Sequence, residues 1–109
     1  MKPTAESGVF DVAALVAARL DAINGTGREE TSLRILKVTE EAGEAAAAWI
    51  GTIGQNPRKG ITHTTADVAA ELADVVLTAL VAIASIGHHP QEVIGACVEK
   101  VTARLGKPA

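Results

Sequence analysis

The stretch that decides the fold is residues 64–86, with the sequence TTADVAAELADVVLTALVAIASI. Its apolar residues recur around nearly the whole circumference of a helix, and a helix of this kind is buried on more than one side. Thr64, followed three residues later by Asp67, predicts an N-terminal cap, and Gly87 predicts the end of the helix. The pattern indicates a central helix that other helices and a second subunit must cover.

Three further helices are predicted from apolar spacing and from start and stop signals. They cover about residues 10–24, 28–50 and 90–105. Thr26 and Glu29 have the separation of a capping box at the start of the second of these helices. We therefore expect the all-α class, in the form of a compact four-helix domain. The domain spans residues 1–109 with its core at about 10–105, and dimerisation completes it.

Composition predicts a core of small side chains without a disulfide. Apolar residues form 48% of the 109 residues, but most are Ala and Val, and the only aromatic residues are Phe10 and Trp49. Core packing is favoured over base stacking for Trp49, because it lies on the opposite side of its helix from the nearby acidic residues. Cys97 is the single cysteine, which excludes an intramolecular disulfide and indicates a small buried apolar residue.

Charge and hydropathy predict the classes of partner and the cellular compartment of the protein. Ten basic and thirteen acidic residues give a net charge of −3, which argues against binding to a nucleic-acid polymer. The apolar run over residues 75–86 is too short to cross a bilayer, and no signal pattern is visible at the N-terminus. We expect a cytoplasmic protein with no membrane partner.

Acidic residues recur on two of the predicted helices. Glu40, Glu41 and Glu44 lie on the second helix, and Glu71 and Asp74 lie on the third. A three-residue separation places two side chains on one face, so adjacent helices can present several carboxylates to one small volume. Such carboxylates repel one another unless a cation lies between them. Oxygen-only ligation suits Mg²⁺, with Mn²⁺ as a substitute, and the lack of a nearby His or Cys argues against zinc. The alternative is an ordinary solvated helix face.

The order Glu40-Glu41-x-x-Glu44 and then Glu71-x-x-Asp74 resembles the signature of the MazG-like all-α NTP pyrophosphatase family. The similarity extends over about residues 33–105. The resemblance implies four Mg²⁺ ligands, which are Glu41, Glu44, Glu71 and Asp74. It also implies that Glu40 lies beside the metal or orients water. Either Glu40 or Glu41 is then expected to accept the proton of the attacking water.

Five basic residues are candidates for binding the phosphates of a nucleotide. Lys37 lies near Glu41 on the same helix, and the other four candidates are Arg58, Lys59, Lys100 and Arg104. Arg58 and Lys59 lie within residues 51–64, a connection longer than is usual in a helix bundle. The alternative for Arg58 and Lys59 is an ordinary solvated loop. The alternative for Lys100 and Arg104 is a favourable charge near the end of a helix.

The function expected from the resemblance is Mg²⁺-dependent hydrolysis of a nucleoside triphosphate to a nucleoside monophosphate and pyrophosphate. The expected partners are the nucleotide substrate and further copies of the chain, as a homodimer or higher homo-oligomer. Two alternatives stay open, namely phosphoribosyl-ATP pyrophosphohydrolase and a non-catalytic helical dimer that acts as a regulatory or interaction module. A di-iron bundle is disfavoured, because the chain has no Glu-x-x-His motif.

Overall fold

The computed structural model describes residues 8–106, and within this range the chain forms four helices and no strand. Their bounds are α1 Gly8–Asn24, α2 Arg28–Ile53, α3 Thr65–Ser85 and α4 Pro90–Leu105. The all-α class is therefore confirmed for the described residues. The predicted core at 10–105 lies inside this range, whereas residues 1–7 and 107–109 of the predicted domain lie outside it.

The ends of α3 and α4 follow the sequence signals. Thr64 and Asp67 form a complete capping box, in which the Thr64 N–H donates to Asp67 Oδ2 at 2.8 Å and the Asp67 N–H donates to the Thr64 hydroxyl. The hydrogen bonds that the Thr64 N–H and the Thr64 hydroxyl donate to the Asp67 carboxylate hold the pKa of Asp67 below its usual value. Pro90 occupies the first turn of α4, where its missing N–H costs no helical hydrogen bond.

Both ends of α2 differ from the prediction. The predicted box of Thr26 and Glu29 is wrong, because Gly27 is the N-cap and no side chain caps this end. The helix also continues to Ile53 rather than ending at about residue 50. Its stop is Gly54, which has a left-handed φ of 69°, a conformation that glycine adopts without a steric penalty. A glycine inside a helix only weakens it, whereas a left-handed residue ends it.

The position of α3 is central. It packs most extensively on α2, then on α1, and only slightly on α4. The hydrophobic core between α1 and α3 is formed by Ala13, Ala17, Leu80 and Val81. Three further alanines are buried, and they are Ala45 and Ala48 on α2 and Ala82 on α3. Because alanine occupies so little space, these helices approach closely but bury a modest area at each contact.

A buried arginine joins the ends of three helices. Arg34 is only 6% exposed, and its guanidinium donates to Asp21 Oδ1 at 2.6 Å and Glu30 Oε2 at 2.7 Å. It also donates to the Ser85 hydroxyl and the Gly25 carbonyl oxygen. The hydrogen bond from Arg34, assisted by one from Asn24, lowers the pKa of Glu30, and the same carboxylates raise the pKa of Arg34. The fork geometry of arginine allows this many partners at once.

Several residues expected to be buried are exposed. Cys97 is exposed, and α4 has no buried residue in the described range. Trp49 is 52% exposed. The predictions of core packing for Cys97 and Trp49 are therefore wrong within a single chain. Among residues 8–106, α4 contacts little but α3, and no residue covers the Trp49 side of α2. By length and composition alone, α3 is the one described helix that is able to cross a membrane.

Candidate metal centre

Two groups of carboxylates meet at Glu41. In one group, single oxygens of Glu41, Glu71 and Asp74 lie within 4.8 Å of one another, and Glu40, Glu41 and Glu44 form the other group at the same limit. The groups arise because α2 and α3 pack side by side, so that acidic pairs on the facing sides of the two helices converge. The structure thus brings together all five acidic residues predicted from the sequence. Glu44 joins the cluster through Glu41 rather than lying in one group with Glu71 and Asp74.

The carboxylates of the cluster are buried to different extents. Glu71 Oε2 is fully buried and has no hydrogen-bond partner. The Glu41 side chain is 14% exposed, whereas Glu40, Glu44 and Asp74 are exposed. A buried carboxylate oxygen without a partner is costly, and nearly all such atoms in folded proteins are satisfied by a hydrogen bond or a cation. The inner end of the cluster therefore has room in its bonding for a hydrogen-bond donor or a cation that the described residues do not supply.

One basic side chain contacts the cluster. Lys37 Nζ lies 2.7 Å from Glu40 Oε1 and 3.5 Å from Glu41 Oε1. The hydrogen bond to Glu40 raises the pKa of Lys37, so this side chain is charged at neutral pH. A single ammonium group at the outer, solvated end leaves Glu71 Oε2 unsatisfied.

The ligand atoms fit a hard divalent cation. Every side chain in the two groups supplies a carboxylate oxygen, and no His or Cys belongs to either group within the described range. Oxygen-only sets of this kind are preferred by Mg²⁺ and Mn²⁺, while zinc sites are dominated by nitrogen and sulfur ligands. Of the cluster, Glu41 and Glu71 are the best enclosed, so a cation there would interact with the least screened charges.

A cavity of about 140 Å³ lies one helical turn from the carboxylates. The polar residues of its lining are Arg34, Lys37 and Thr78, and the last two lie one turn from Glu41 and Asp74 respectively. The apolar residues around it are Val16, Leu20, Leu77 and Val81. Sequence reasoning missed the contribution of α1, because nothing in the spacing of Val16 and Leu20 relates them to α2. The alignment of Thr78 with the acidic stripe of α3 was the available signal.

The basic residues of the loop between α2 and α3 lie at a different position from the carboxylate cluster. Lys59 and His63 line a separate cavity of about 310 Å³ at the end of α2. The Thr62 N–H donates to the Gly51 carbonyl oxygen at 3.0 Å, which holds the loop against the helix. Arg58 is placed by a local hydrogen bond from its own N–H to Asn56 Oδ1.

None of the other four basic candidates contacts the cluster. In the described part of the chain, no salt bridge or side-chain hydrogen bond joins an acidic residue to Arg58, Lys59, Lys100 or Arg104. Their assignment to the substrate stays a prediction, and Lys37 is the one candidate that the structure brings to the carboxylates.

Comparisons with protein-family models, with curated proteins and with solved structures find no match to this chain.

Proposed function

We propose that the protein is a Mg²⁺-dependent nucleoside triphosphate pyrophosphohydrolase of the MazG-like all-α type. The observation that supports this proposal most is the buried, unpartnered Glu71 Oε2 beside Glu41 and Asp74. An acidic cluster alone is common on solvated helices, but a buried carboxylate oxygen without a partner is rare, and a cation would satisfy it. The metal ligands in this proposal are Glu41, Glu44, Glu71 and Asp74.

The chain's own residues have separate tasks in the proposed reaction. A bound Mg²⁺ supplies an acidified water and neutralises phosphate charge. Glu40 is the proton acceptor, because it is exposed and at the rim of the cluster, while Glu41 is shared by both carboxylate groups. The water oxygen bonds to the α-phosphorus, its proton passes to the carboxylate, and the bond from the α-phosphorus to the bridging oxygen breaks. Pyrophosphate leaves with that oxygen.

Lys37 and the neighbouring cavity bind the substrate in this proposal. Lys37 lines the cavity, and its ammonium group lies at the rim of the carboxylate cluster, so it can exchange Glu40 for a phosphate oxygen. The apolar walls provided by Val16, Leu20 and Leu77 suit the uncharged part of a nucleotide. Arg58, Lys59, Lys100 and Arg104 remain candidates for phosphate contacts in an assembled or substrate-bound form.

The proposal includes an assembly and a compartment. The four-helix chain is completed by a second copy, acts on free nucleotides in the cytoplasm, and needs neither a membrane nor a nucleic-acid polymer. The exposed apolar side chains of α2 and α3 support the assembly.

Pyrophosphate release tests the activity directly. We expect release from at least one member of a panel of nucleoside triphosphates with Mg²⁺, and none with a chelator. Glu71→Gln should reduce kcat by about 100-fold or more, because it removes a ligand charge. Glu99→Gln, a change at an exposed acidic residue of α4, is the matched control and should retain full activity.

The same panel separates the alternatives. Release from phosphoribosyl-ATP alone would identify the rival hydrolase. No release from any substrate, together with no Mg²⁺ binding by calorimetry, would contradict the proposal and favour a non-catalytic interaction module.

A further inference from the structure

The carboxylate cluster lies between two cavities along α2. Lys37 lines the cavity of about 140 Å³ that α1 shares, and Gly51 lines the cavity of about 310 Å³ at the loop after α2. Lys37, Glu44 and Gly51 are spaced seven residues apart, which is close to two helical turns at each step. They therefore lie on the same side of α2, with the carboxylate in the middle. We call the larger of the two the loop cavity.

The lining of the loop cavity is polar and basic. Its polar side chains are Gln55, Asn56, Lys59, Thr62 and His63, and no acidic residue of the described range lines it. Lys59 supplies a positive charge, while Ala47 and Ile50 form an apolar wall. The cavity next to α1 has mostly aliphatic walls instead. Hydrogen-bond donors around one positive charge suit an oxyanion, because such bonds are strengthened by the charge of the acceptor.

His63 is held in place against α2. A Cβ at Gly51 would lie 2.3 Å from His63 Nδ1, so the imidazole occupies the space that a side chain at residue 51 would take. The Thr62 hydroxyl lies 2.8 Å from the same Nδ1. When this hydroxyl donates to Nδ1, the ring proton is on Nε2. No hydrogen bond joins Nε2 to another described residue, so His63 provides a positioned donor with no partner of its own.

A hydrogen-bonded turn holds Lys59 at the same cavity. The Asn56 carbonyl oxygen accepts the N–H of Lys59 at 3.1 Å and the N–H of Gly60 at 2.9 Å. Gly60 has a left-handed φ of 71°, which a residue without Cβ adopts at no steric cost. Asn56 Oδ1 accepts the Arg58 N–H, which leaves the side-chain N–H₂ group of Asn56 free to donate. The turn is thus formed without the donors that a ligand would need.

We propose that the loop cavity is an oxyanion site that binds the terminal phosphates of the substrate, with His63 and Lys59 as the main donors. This role rests on the proposed function, although binding of a phosphate to the cavity does not require hydrolysis. Ala47, at the edge of the cavity, lies one turn beyond Glu44 and about 4.5 Å further along α2. A polyphosphate held at the carboxylates can therefore reach the cavity.

The inference gives the substrate a direction along α2. The pyrophosphate end lies towards the loop, and the nucleoside lies towards the aliphatic cavity that contains Lys37. A nucleobase fits the loop cavity less well, because none of its lining residues is aromatic and stacking is thus unavailable there. A nucleotide with fewer phosphates would leave His63 and Lys59 without an acceptor. The cavity would consequently favour triphosphates over diphosphates.

Binding of inorganic pyrophosphate, measured by calorimetry with Mg²⁺, tests the site without turnover. We expect Lys59→Gln and His63→Ala each to weaken binding by at least about tenfold, since each loses a hydrogen bond to a charged acceptor. His88→Ala, at an exposed histidine outside the cavity, and Arg28→Gln, at an exposed arginine, are the matched controls. Both controls should bind pyrophosphate like wild type. Circular dichroism checks that all four variants are helical.

Histidine resonances give a second measurement on the unmodified protein. The chain has three histidines, and only the imidazole signals of His63 should shift when pyrophosphate is added in the presence of a chelator. This experiment needs neither a substitution nor a metal ion. Unshifted His63 signals, or equal shifts at His88 and His89, would overturn the proposal.

Kinetics separate this inference from the proposed function. The ratio of kcat/KM for a nucleoside triphosphate to that for the matching diphosphate should fall about tenfold in Lys59→Gln and His63→Ala. If both folded variants keep pyrophosphate binding and this ratio, the inference is wrong while wild-type hydrolysis still stands. If they lose pyrophosphate binding but keep the ratio, the substrate does not occupy the cavity and the proposal is also wrong. Pyrophosphate binding that depends on His63 in a protein without turnover would support the oxyanion site and contradict only the proposed function.

Discussion

At the scale of single residues, Glu71 and Arg34 represent opposite outcomes for a charged group in a small helical protein. The Arg34 guanidinium is buried, and Asp21, Glu30 and Ser85 accept hydrogen bonds from it. Glu71 has a buried oxygen that no group in the described residues satisfies. The first arrangement satisfies the charge within the chain, whereas the second is costly until a cation or a hydrogen-bond donor satisfies the oxygen.

Thermal melts of Glu71→Gln test the role of that oxygen in stability. The glutamine keeps the shape of the side chain, removes one negative charge and provides an N–H₂ that can donate to Glu41 or Asp74. Without metal, we expect the variant to melt no lower than wild type. With Mg²⁺ at about 100 times its Kd, wild type should gain roughly 2.7 kcal/mol and the variant little. Glu99→Gln on α4 serves as the control, and a Glu71→Gln protein that retains the whole Mg²⁺ effect would show that Glu71 is no ligand.

Arg34→Lys separates charge from hydrogen-bond geometry at the buried clamp. Lysine keeps the positive charge but cannot reach Asp21, Glu30 and the Gly25 carbonyl together, so we expect a loss of about 1.5–3 kcal/mol in the free energy of unfolding. Urea denaturation measures this loss. Arg28→Lys is the matched control at an exposed arginine of the same helix and should change stability by less than about 0.5 kcal/mol. Equal effects at both positions would mean that the clamp contributes charge alone.

At the scale of the elements, the loop after α2 is held by contacts with the helix that precedes it. Gly51 lies within α2, and its carbonyl oxygen accepts the Thr62 N–H at 3.0 Å. A Cβ at this position would lie 2.3 Å from His63 Nδ1 and 2.5 Å from Thr62 Oγ1. The absence of a side chain at residue 51 is thus what allows the loop to return across the helix before α3 begins.

Gly51→Ala should therefore destabilise the protein even though alanine is the better helix former. The loop must move to admit the methyl group, and the cost of such overpacking is about 1–3 kcal/mol. Gly95→Ala in α4 is the matched control, because a Cβ there has no neighbour within 4 Å. We expect the control to stabilise the chain by about 0.5–1 kcal/mol. Thermal denaturation compares the two, and stabilisation by both substitutions would show that the loop does not depend on Gly51.

At the scale of the whole molecule, no large side chain of the described residues is fully buried. The buried core is small and rich in alanine, so one chain obtains limited hydrophobic stabilisation from its own packing. Burial between subunits in the proposed assembly would add to this stabilisation.

The melting temperature should consequently depend on protein concentration. If folded subunits are stabilised by association, mass action raises the midpoint as concentration increases. We expect a higher midpoint at 100 μM than at 1 μM chain. Differential scanning fluorimetry across this range is the measurement, and a constant midpoint for wild type would contradict a coupling between folding and assembly.

Much of the local structure could be predicted from the sequence, because local interactions decide it. The Thr64–Asp67 box and Pro90 mark where α3 and α4 begin, since caps act within one helical turn. The acidic spacings likewise placed Glu41 and Glu71 on the faces by which α2 and α3 meet. The capping box predicted at Thr26 is wrong because Gly27 occupies the N-cap position of α2. Thr and Gly both occur at N-caps, and the two residues are adjacent, so the sequence alone did not distinguish them.

Only the tertiary structure decided which apolar helix faces are covered and which distant residues meet, because helical periodicity in a sequence specifies neither. An apolar stripe shows that a helix has a side to bury, but not whether its own chain or another covers it, so Trp49 and Cys97 were predicted to be buried and are exposed. The burial of Glu71 Oε2, the clamp around Arg34 and the cavity that α1 shares with Lys37 and Thr78 all join distant parts of the chain. Such contacts depend on how helices cross in space, and helix crossing is decided by packing between side chains that sequence spacing does not relate.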